Sequence, residues 1–307
     1  MLPTTDISRD NAGHEAMILP TWMATESDET SLDFPDHALE RVRDILRLRR
    51  NFDISSYKDK YLKRRIAIRV RATRSVTADA YCDLVARNER ELELLLKGLT
   101  IHVSQFFRNS STFEALRGTV LPAIFDRLRR EGRDSATFWS VGCASGEEPY
   151  SLAIILRDSF RESLKEFKVS LVATDIDGGI LDAARAGIYS PERLAEVPAE
   201  VKDRYFRPMG ERFVLDPTIR EMVDFRRSDL FDPESSVESD LILCRNVLIY
   251  FERSEQARIL RGFVSSLCTG GVLVLGKAET LVAEVRQRFT TLCPMERIYQ
   301  KNRFSVY

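Results

Sequence analysis

Cysteine and histidine are scarce in this chain, and neither is grouped. Five cysteines (Cys82, Cys143, Cys244, Cys268, Cys293) and three histidines are scattered through 307 residues, with no CxxC pair. That spacing leaves no ordinary zinc-ligand set, and an odd, dispersed cysteine count argues against a disulfide framework. No metal is expected, and a reducing, cytoplasmic compartment is. No apolar run approaches the ~20 residues that cross a bilayer, and no basic-then-apolar leader opens the chain, so neither membrane insertion nor Sec-type export is expected. An excess of charge is also missing, with 46 Lys+Arg against 47 Asp+Glu and a net charge of −1. With 44% apolar and 30% charged residues, the composition is that of a globular protein large enough for one large domain or two smaller ones.

The balanced total conceals a local asymmetry. Residues 1–40 hold nine acidic residues and one basic (net −8), whereas residues 41–74 hold thirteen basic residues and three acidic (net +10). Residues 1–30 are polar and unpatterned and read as a flexible acidic tail. The basic block has helical periodicity. On a helix from about Tyr57 to Arg74, Leu62, Ile66 and Val70 form one apolar stripe, and Lys60, Arg64 and Arg71 fall within about 40° of one another on the opposite side. This cationic ridge suits nucleic acid or an acidic protein surface. Aromatic residues for base stacking are sparse there, which favours protein. The opposite charges of tail and ridge also suggest that one shields the other.

Helical patterning continues through 80–86 and 89–99 to about residue 121. From Ala136 the pattern becomes strand, loop, helix, with strands at Thr137–Val141, Val169–Thr174, Met222–Arg226, Leu241–Cys244 and Val272–Leu275. Helices are expected at about Pro149–Phe160, Gly179–Ala186 and Ser254–Leu267. Such alternation predicts an α/β fold with a parallel sheet and a ligand at the carboxyl ends of its strands. Residues 187–221, with Pro191, Pro198, Pro208 and Pro217, interrupt the alternation and read as an inserted subdomain.

The loop Gly142-Cys-Ala144-Ser-Gly146 follows the first strand, and small residues there let a ligand approach the backbone. Its spacing is not that of the dinucleotide fingerprint, and Glu147 and Glu148 directly after it would repel a pyrophosphate. Alone, the loop would serve a structural turn equally well. Asp175, at the end of the next strand, is placed to accept hydrogen bonds from ribose hydroxyls. A nucleoside with a cationic, phosphate-free tail fits this set, and S-adenosylmethionine (SAM) is such a molecule.

Three longer strings make the chain resemble the CheR family of chemoreceptor glutamate methyltransferases: Leu99–Arg108 (LTIHVSQFFR), Trp139–Ser151 (WSVGCASGEEPYS) and Cys244–Phe251 (CRNVLIYF). Shorter matches are ATDID at 173–177, AGIY at 186–189 and GKAE at 276–279, and the resemblance covers roughly residues 36–302. It implies a class I SAM-methyltransferase doubly wound sheet, an N-terminal all-helical domain and a small inserted β-subdomain. The divisions expected are a tail at 1–30, a helical domain at 31–121, and a methyltransferase domain at 122–307 that includes 187–221.

The resemblance also implies roles. SAM contacts fall on His102, Ser104 and Arg108, where family members often carry Asn and Thr at the first two places. Gly142 and Ala144 line the cofactor loop. Glu148 with Glu147, and Asp175, hold the methionine and ribose parts; Asp229 and Leu230 flank the adenine; Arg245 and Asn246 close the pocket. Arg108 and Tyr250 are the catalytic candidates, and S-adenosylhomocysteine is the product. Lys60, Arg64 and Arg71 would dock the glutamate-rich helical region of a methyl-accepting chemoreceptor, which recruits the enzyme to membrane receptor arrays. The stretch Tyr205–Phe225 is shorter than in members that bind a C-terminal receptor pentapeptide, so no such tether is expected. A nucleic-acid methyltransferase is the main alternative, but Asn246-Val-Leu-Ile-Tyr250 lacks the proline-containing loop of exocyclic-amine enzymes. A SAM-binding protein without catalysis is the second.

Overall fold

The computed structural model describes residues 34–100, 104–232 and 235–303. Four helices open it: α1 (Asp36–Arg50), α2 (Asp59–Thr73), α3 (Ala78–Arg87) and α4 (Glu89–Leu99). Leu62, Ile66 and Val70 of α2 are buried with Leu39, Leu46, Tyr81 and Leu95 in one apolar core, each fully buried aliphatic side chain contributing about 1.5–3 kcal/mol. The opposite face carries the exposed Lys60, Arg64 and Arg71. Helix α2 begins two residues later than periodicity indicates. Lys58 is extended (φ −60°, ψ 127°), because Ser56 and Lys58 are hydrogen-bonded to a distant segment instead.

Next come α5 (Ser110–Ala115) and α6 (Leu121–Glu131). The division expected at residue 121 lies elsewhere: Phe106, Phe113, Leu116, Phe125 and Leu128 are buried with Phe138 and Leu152 of the α/β domain. The two apolar cores part between Leu99 and Phe106. Periodicity announces a helix without saying which core it faces.

The α/β domain runs β1 (Ser135–Val141), α7 (Glu147–Ser159), α8 (Arg161–Glu166), β2 (Lys168–Asp175), α9 (Gly178–Ala186), β3 (Ile188–Tyr189), α10 (Ala199–Tyr205), β4 (Phe206–Met209), β5 (Arg212–Leu215), α11 (Pro217–Arg220), β6 (Val223–Arg227), β7 (Ser239–Cys244), α12 (Arg253–Ser266), β8 (Leu267–Leu275), α13 (Ala283–Arg286), β9 (Phe289–Cys293) and β10 (Ile298–Lys301). The main sheet has the order β6-β2-β1-β7-β8-β10-β9. The pairs β2–β6, β1–β2, β1–β7 and β7–β8 are parallel, and β10 runs antiparallel to β8 and β9. The order reverses at β1, so the loops after β1 and β7 open a crevice between them, the usual ligand position in such sheets. Residues 187–221 form a separate three-stranded antiparallel sheet, β3-β5-β4, with short helices.

The sheet is pinned at the opposite end by a buried charge cluster. Asp240 accepts from Arg127, from Arg133 Nη1 at 2.7 Å and Nη2 at 2.9 Å, and from the Thr137 amide at 3.1 Å. Arg127 is itself buried, so removing the carboxylate strands a buried cation. Asp240→Ala should destabilise the protein by about 3–5 kcal/mol in denaturant unfolding; a loss below about 1 kcal/mol would contradict the assignment.

Candidate active site

The crevice is a cavity bounded by the loop after β1, the ends of β2 and β7, residues 228–231, and Asp53, Tyr57, Leu99 and Thr100 from the helical domain. The loop after β1 is tight. Cys143 N–H donates to Thr174 O at 3.0 Å and Gly146 N–H to Cys143 O at 3.0 Å. Gly142 and Ala144 both have positive φ, +65° and +49°, and a Cβ on Gly142 would stand 2.6 Å from Val247 Cγ2. Glycine is required there, since a side chain would push apart the β1 and β7 loops that enclose the cavity.

Asp175 lines the cavity at the end of β2. Its Oδ2 accepts from the Ala144 amide at 2.9 Å and its Oδ1 from the Asp177 amide at 3.1 Å, so it also holds the loop. Glu148 lines the cavity as well; its Oε1 accepts from Ser140 Oγ at 2.8 Å and its Oε2 faces Arg245 Nη1 at 3.3 Å. Burial pushes this carboxyl above its ordinary range, against the pull of Arg245 and Ser140. Asp229 and Leu230 lie on the same wall, where Asp229 Oδ1 accepts from the Phe231 amide at 2.9 Å.

Glu147 is placed differently from its neighbour. It is fully buried (0% exposed), is absent from the cavity lining, and is tied to Ser145 Oγ at 2.7 Å and to Arg193 at 3.3 Å. Arg193, from the inserted subdomain, also donates to Ser104 O. Glu147 therefore braces three segments behind the pocket. Burial raises its carboxyl as well, with Arg193 opposing.

Arg108 and Ser104 line the cavity, held by buried Phe106, whose ring meets Tyr189 at 4.8 Å and Phe206 at 5.0 Å. The inserted subdomain thus anchors the Arg108 segment. His102 lies outside the described residues. The buried Arg245 side chain donates to Arg108 O at 2.7 Å and Asn109 Oδ1 at 3.1 Å and lies over the Phe113 ring. Asn246, also on the wall, has φ +61°. Tyr250 lines the cavity too; burial raises its phenol above the usual value while the positive charges of Arg108, Arg65 and Arg64 act the other way. The hydroxyl is therefore a neutral donor at pH 7.

The cavity therefore brings together Ser104, Arg108, Gly142, Ala144, Glu148, Asp175, Asp229, Leu230, Arg245, Asn246 and Tyr250. Lys60, Arg64 and Arg71 stand outside it on the exposed face of α2. Its donor chemistry fits SAM: Glu148, Asp175 and Asp229 offer anionic oxygens to an amine, a sulfonium and hydroxyls, no lysine lines it among the described residues, and the small-residue loop leaves backbone within reach.

Several important residues were not singled out as site residues in the sequence. Glu279 is 3% exposed and accepts backbone amides at Asn246 (3.0 Å), Val247 (2.8 Å), Leu248 (2.7 Å), Ile249 (3.4 Å) and Gly276 (2.6 Å). Its only signal was the GKAE string. A Cβ on Gly276 would lie 2.7 Å from Glu279 Oε2 and 2.8 Å from the Asn246 nitrogen, so the carboxylate fits only beside glycine. Tyr57 and Asp53 carried no signal of their own.

Comparison with known proteins places these features. Residues 102–297 match a family model described as CheR methyltransferase, SAM binding domain, and residues 37–100 match CheR methyltransferase, all-alpha domain. The chain is 32% identical over 240 residues to a chemotaxis protein methyltransferase of Listeria monocytogenes, covering 78% of this chain and 88% of that one. It is 33% identical to chemotaxis protein methyltransferase 2 of Pseudomonas aeruginosa over 79% of this chain and 86% of that one. An uncharacterized 104.1 kDa protein of Rhodobacter capsulatus is 32% identical over 87% of this chain, which spans 28% of that longer protein.

The Glu279 contacts generate a test. In Glu279→Gln one carboxylate oxygen becomes an amide that faces N–H donors, so the turn carrying Asn246 must shift. SAM affinity, measured by calorimetry, should fall about tenfold, and an affinity within twofold of wild type would contradict this role.

Proposed function

The chain belongs to the CheR methyltransferase family, and we propose that it is a protein-glutamate O-methyltransferase that esterifies glutamate side chains of methyl-accepting chemoreceptors. The observation that carries this reading is the sorting of charge across one cavity. Glu148, Asp175 and Asp229 line it together with Arg108 and Tyr250, and α2 presents Lys60, Arg64 and Arg71 on its exposed face.

When bound, SAM supplies an electrophilic methyl group on a sulfonium. A glutamate carboxylate, with an ordinary pKa of about 4.3, is already ionised at pH 7 and needs no general base. What remains for the protein is alignment and exclusion of water. Arg108 pairs with the incoming carboxylate and turns one oxygen toward the methyl. The protonated Tyr250 phenol donates a hydrogen bond beside it. Leu230, Phe231, Tyr57 and Phe251 supply the apolar wall. The carboxylate oxygen gains the methyl as the carbon–sulfur bond breaks, giving the ester and S-adenosylhomocysteine.

Delivery of the substrate falls to α2. Lys60 and Arg64 are exposed and form no ion pair among the described residues, and Arg71 lies on the same exposed face. A glutamate-rich helix of the receptor is the complementary surface, and docking on it brings the enzyme to receptor arrays. In this reading the inserted subdomain braces the Arg108 segment through Phe106 and does not tether a receptor tail. Among the described residues no helix is long and apolar enough to cross a membrane.

Two variants separate chemistry from docking. Arg108→Ala should lower the transfer rate by about 10²-fold or more with the melting temperature unchanged, and activity within a few-fold of wild type would contradict its role. The double variant Arg64→Glu, Arg71→Glu should raise KM for a receptor fragment and flatten its salt dependence; an unchanged KM would leave the ridge a solvated face.

A further inference from the structure

The helical domain reaches into the site through the three residues before α2. Ser56, Tyr57 and Lys58 run beside Ile249–Glu252: Glu252 N–H donates to Ser56 O at 3.3 Å, and Lys58 N–H donates to Tyr250 O at 2.9 Å. Tyr57 and Phe251 pair as an antiparallel bridge. The Lys58 ammonium donates to Ile249 O at 2.8 Å, across 191 residues of sequence. The Tyr57 ring lines the cavity 4.8 Å from Phe251 and 6.2 Å from Tyr61, whose own ring lies 5.0 Å from Tyr250. Burial raises the Tyr57 phenol, and the charges of Asp175 and Asp229 raise it further. Tyr57 shares the cavity lining with Asp175 and Asp229, the carboxylates of the cofactor side.

We propose that Tyr57 is a cofactor-contact residue supplied by the helical domain and that Lys58 is a positioning residue that holds Tyr250 in place. The Tyr57 part requires only the SAM site, whereas the Lys58 part rests on the receptor-methylation reading. The Lys58 amide and ammonium satisfy two successive carbonyls, Ile249 and Tyr250, directly where the catalytic phenol leaves the backbone. The loop is thus held at its start by Glu279 and at its end by Lys58. Because Tyr57 and Lys58 are continuous with α2, a partner seated on the exposed face of that helix bears on the segment that sets Tyr250.

The test uses the full chain. Tyr57→Leu should raise the Kd for S-adenosylhomocysteine, titrated calorimetrically, about tenfold. It should also shrink the upward shift of melting temperature that this ligand produces. Wild-type Kd, or a lowered melting temperature with the ligand-induced shift intact, would reduce Tyr57 to domain packing and overturn that part. Lys58→Met should cut kcat about tenfold while Kd for S-adenosylhomocysteine and KM for a receptor fragment stay within about twofold, and Lys58→Arg should restore most of the rate. An intact kcat, with or without a raised receptor KM and a flattened salt dependence, would remove Lys58 from the positioning role. If the wild-type chain methylates no receptor, the proposed function fails while the Tyr57 titration still decides its own claim.

Discussion

The pocket depends on one buried carboxylate. Glu279 gathers five amides from two segments, four of them consecutive from Asn246 to Ile249. A left-handed Asn246, two residues past the end of β7, points a run of backbone donors into the protein interior, where unpaired amides each cost about 1–3 kcal/mol. A single anion answers all of them, and its fit requires the bare Gly276. From that turn follow the closeness of Val247 to Gly142, the place of Tyr250 on the cavity wall, and the edge that Tyr57 and Lys58 pair with. The segment from Asn246 to Tyr250 is irregular backbone held by hydrogen bonds at both ends, which is how a short loop keeps a side chain on a cavity wall.

Charge is arranged with the same economy. Anionic groups hold the β1 and β2 loops, cations approach from α2 and from Arg108, and Arg245 stands between the two sets, touching Glu148 on one side and the Arg108 carbonyl on the other. In the proposed function a cationic methyl donor and an anionic acceptor would each meet opposite charge in one space. A glutamate acceptor is already ionised at pH 7, so the proposed transfer would need no proton moved. Glu147 shows the cost of reading carboxylates by adjacency alone: one residue before Glu148 on the same helical turn, it faces backward and ties the loop to the inserted subdomain.

Much of this was legible in the sequence. Buried parallel strands read as apolar runs, and β1, β2, β7 and β8 fall where such runs lie, while β6 at the sheet edge shows alternation in Val223-Asp-Phe225. The loop residues stood out because small residues between a strand and a helix, followed by carboxylates, suit few ligands. Other features were not legible for physical reasons. The β9–β10 hairpin is an edge in which Phe289 is the one buried residue of β9, so no pattern marks it. Helices α5 and α6 looked like a continuation of the helical domain because periodicity records amphipathicity and not the partner. Tyr57, Lys58 and Glu279 act through single contacts with residues far along the chain, and a one-residue bridge leaves no periodic trace.

The central claim is that this cavity esterifies a receptor glutamate, and the most direct measurement is the fate of a labelled methyl group. Purified protein would be incubated with methyl-labelled SAM and a receptor cytoplasmic fragment, and the washed product treated with alkali. The account predicts label on the receptor that is released as volatile methanol and is lost when the receptor glutamates are changed to alanine. Label that resists alkali, or that appears on nucleic acid in place of the receptor, would contradict it.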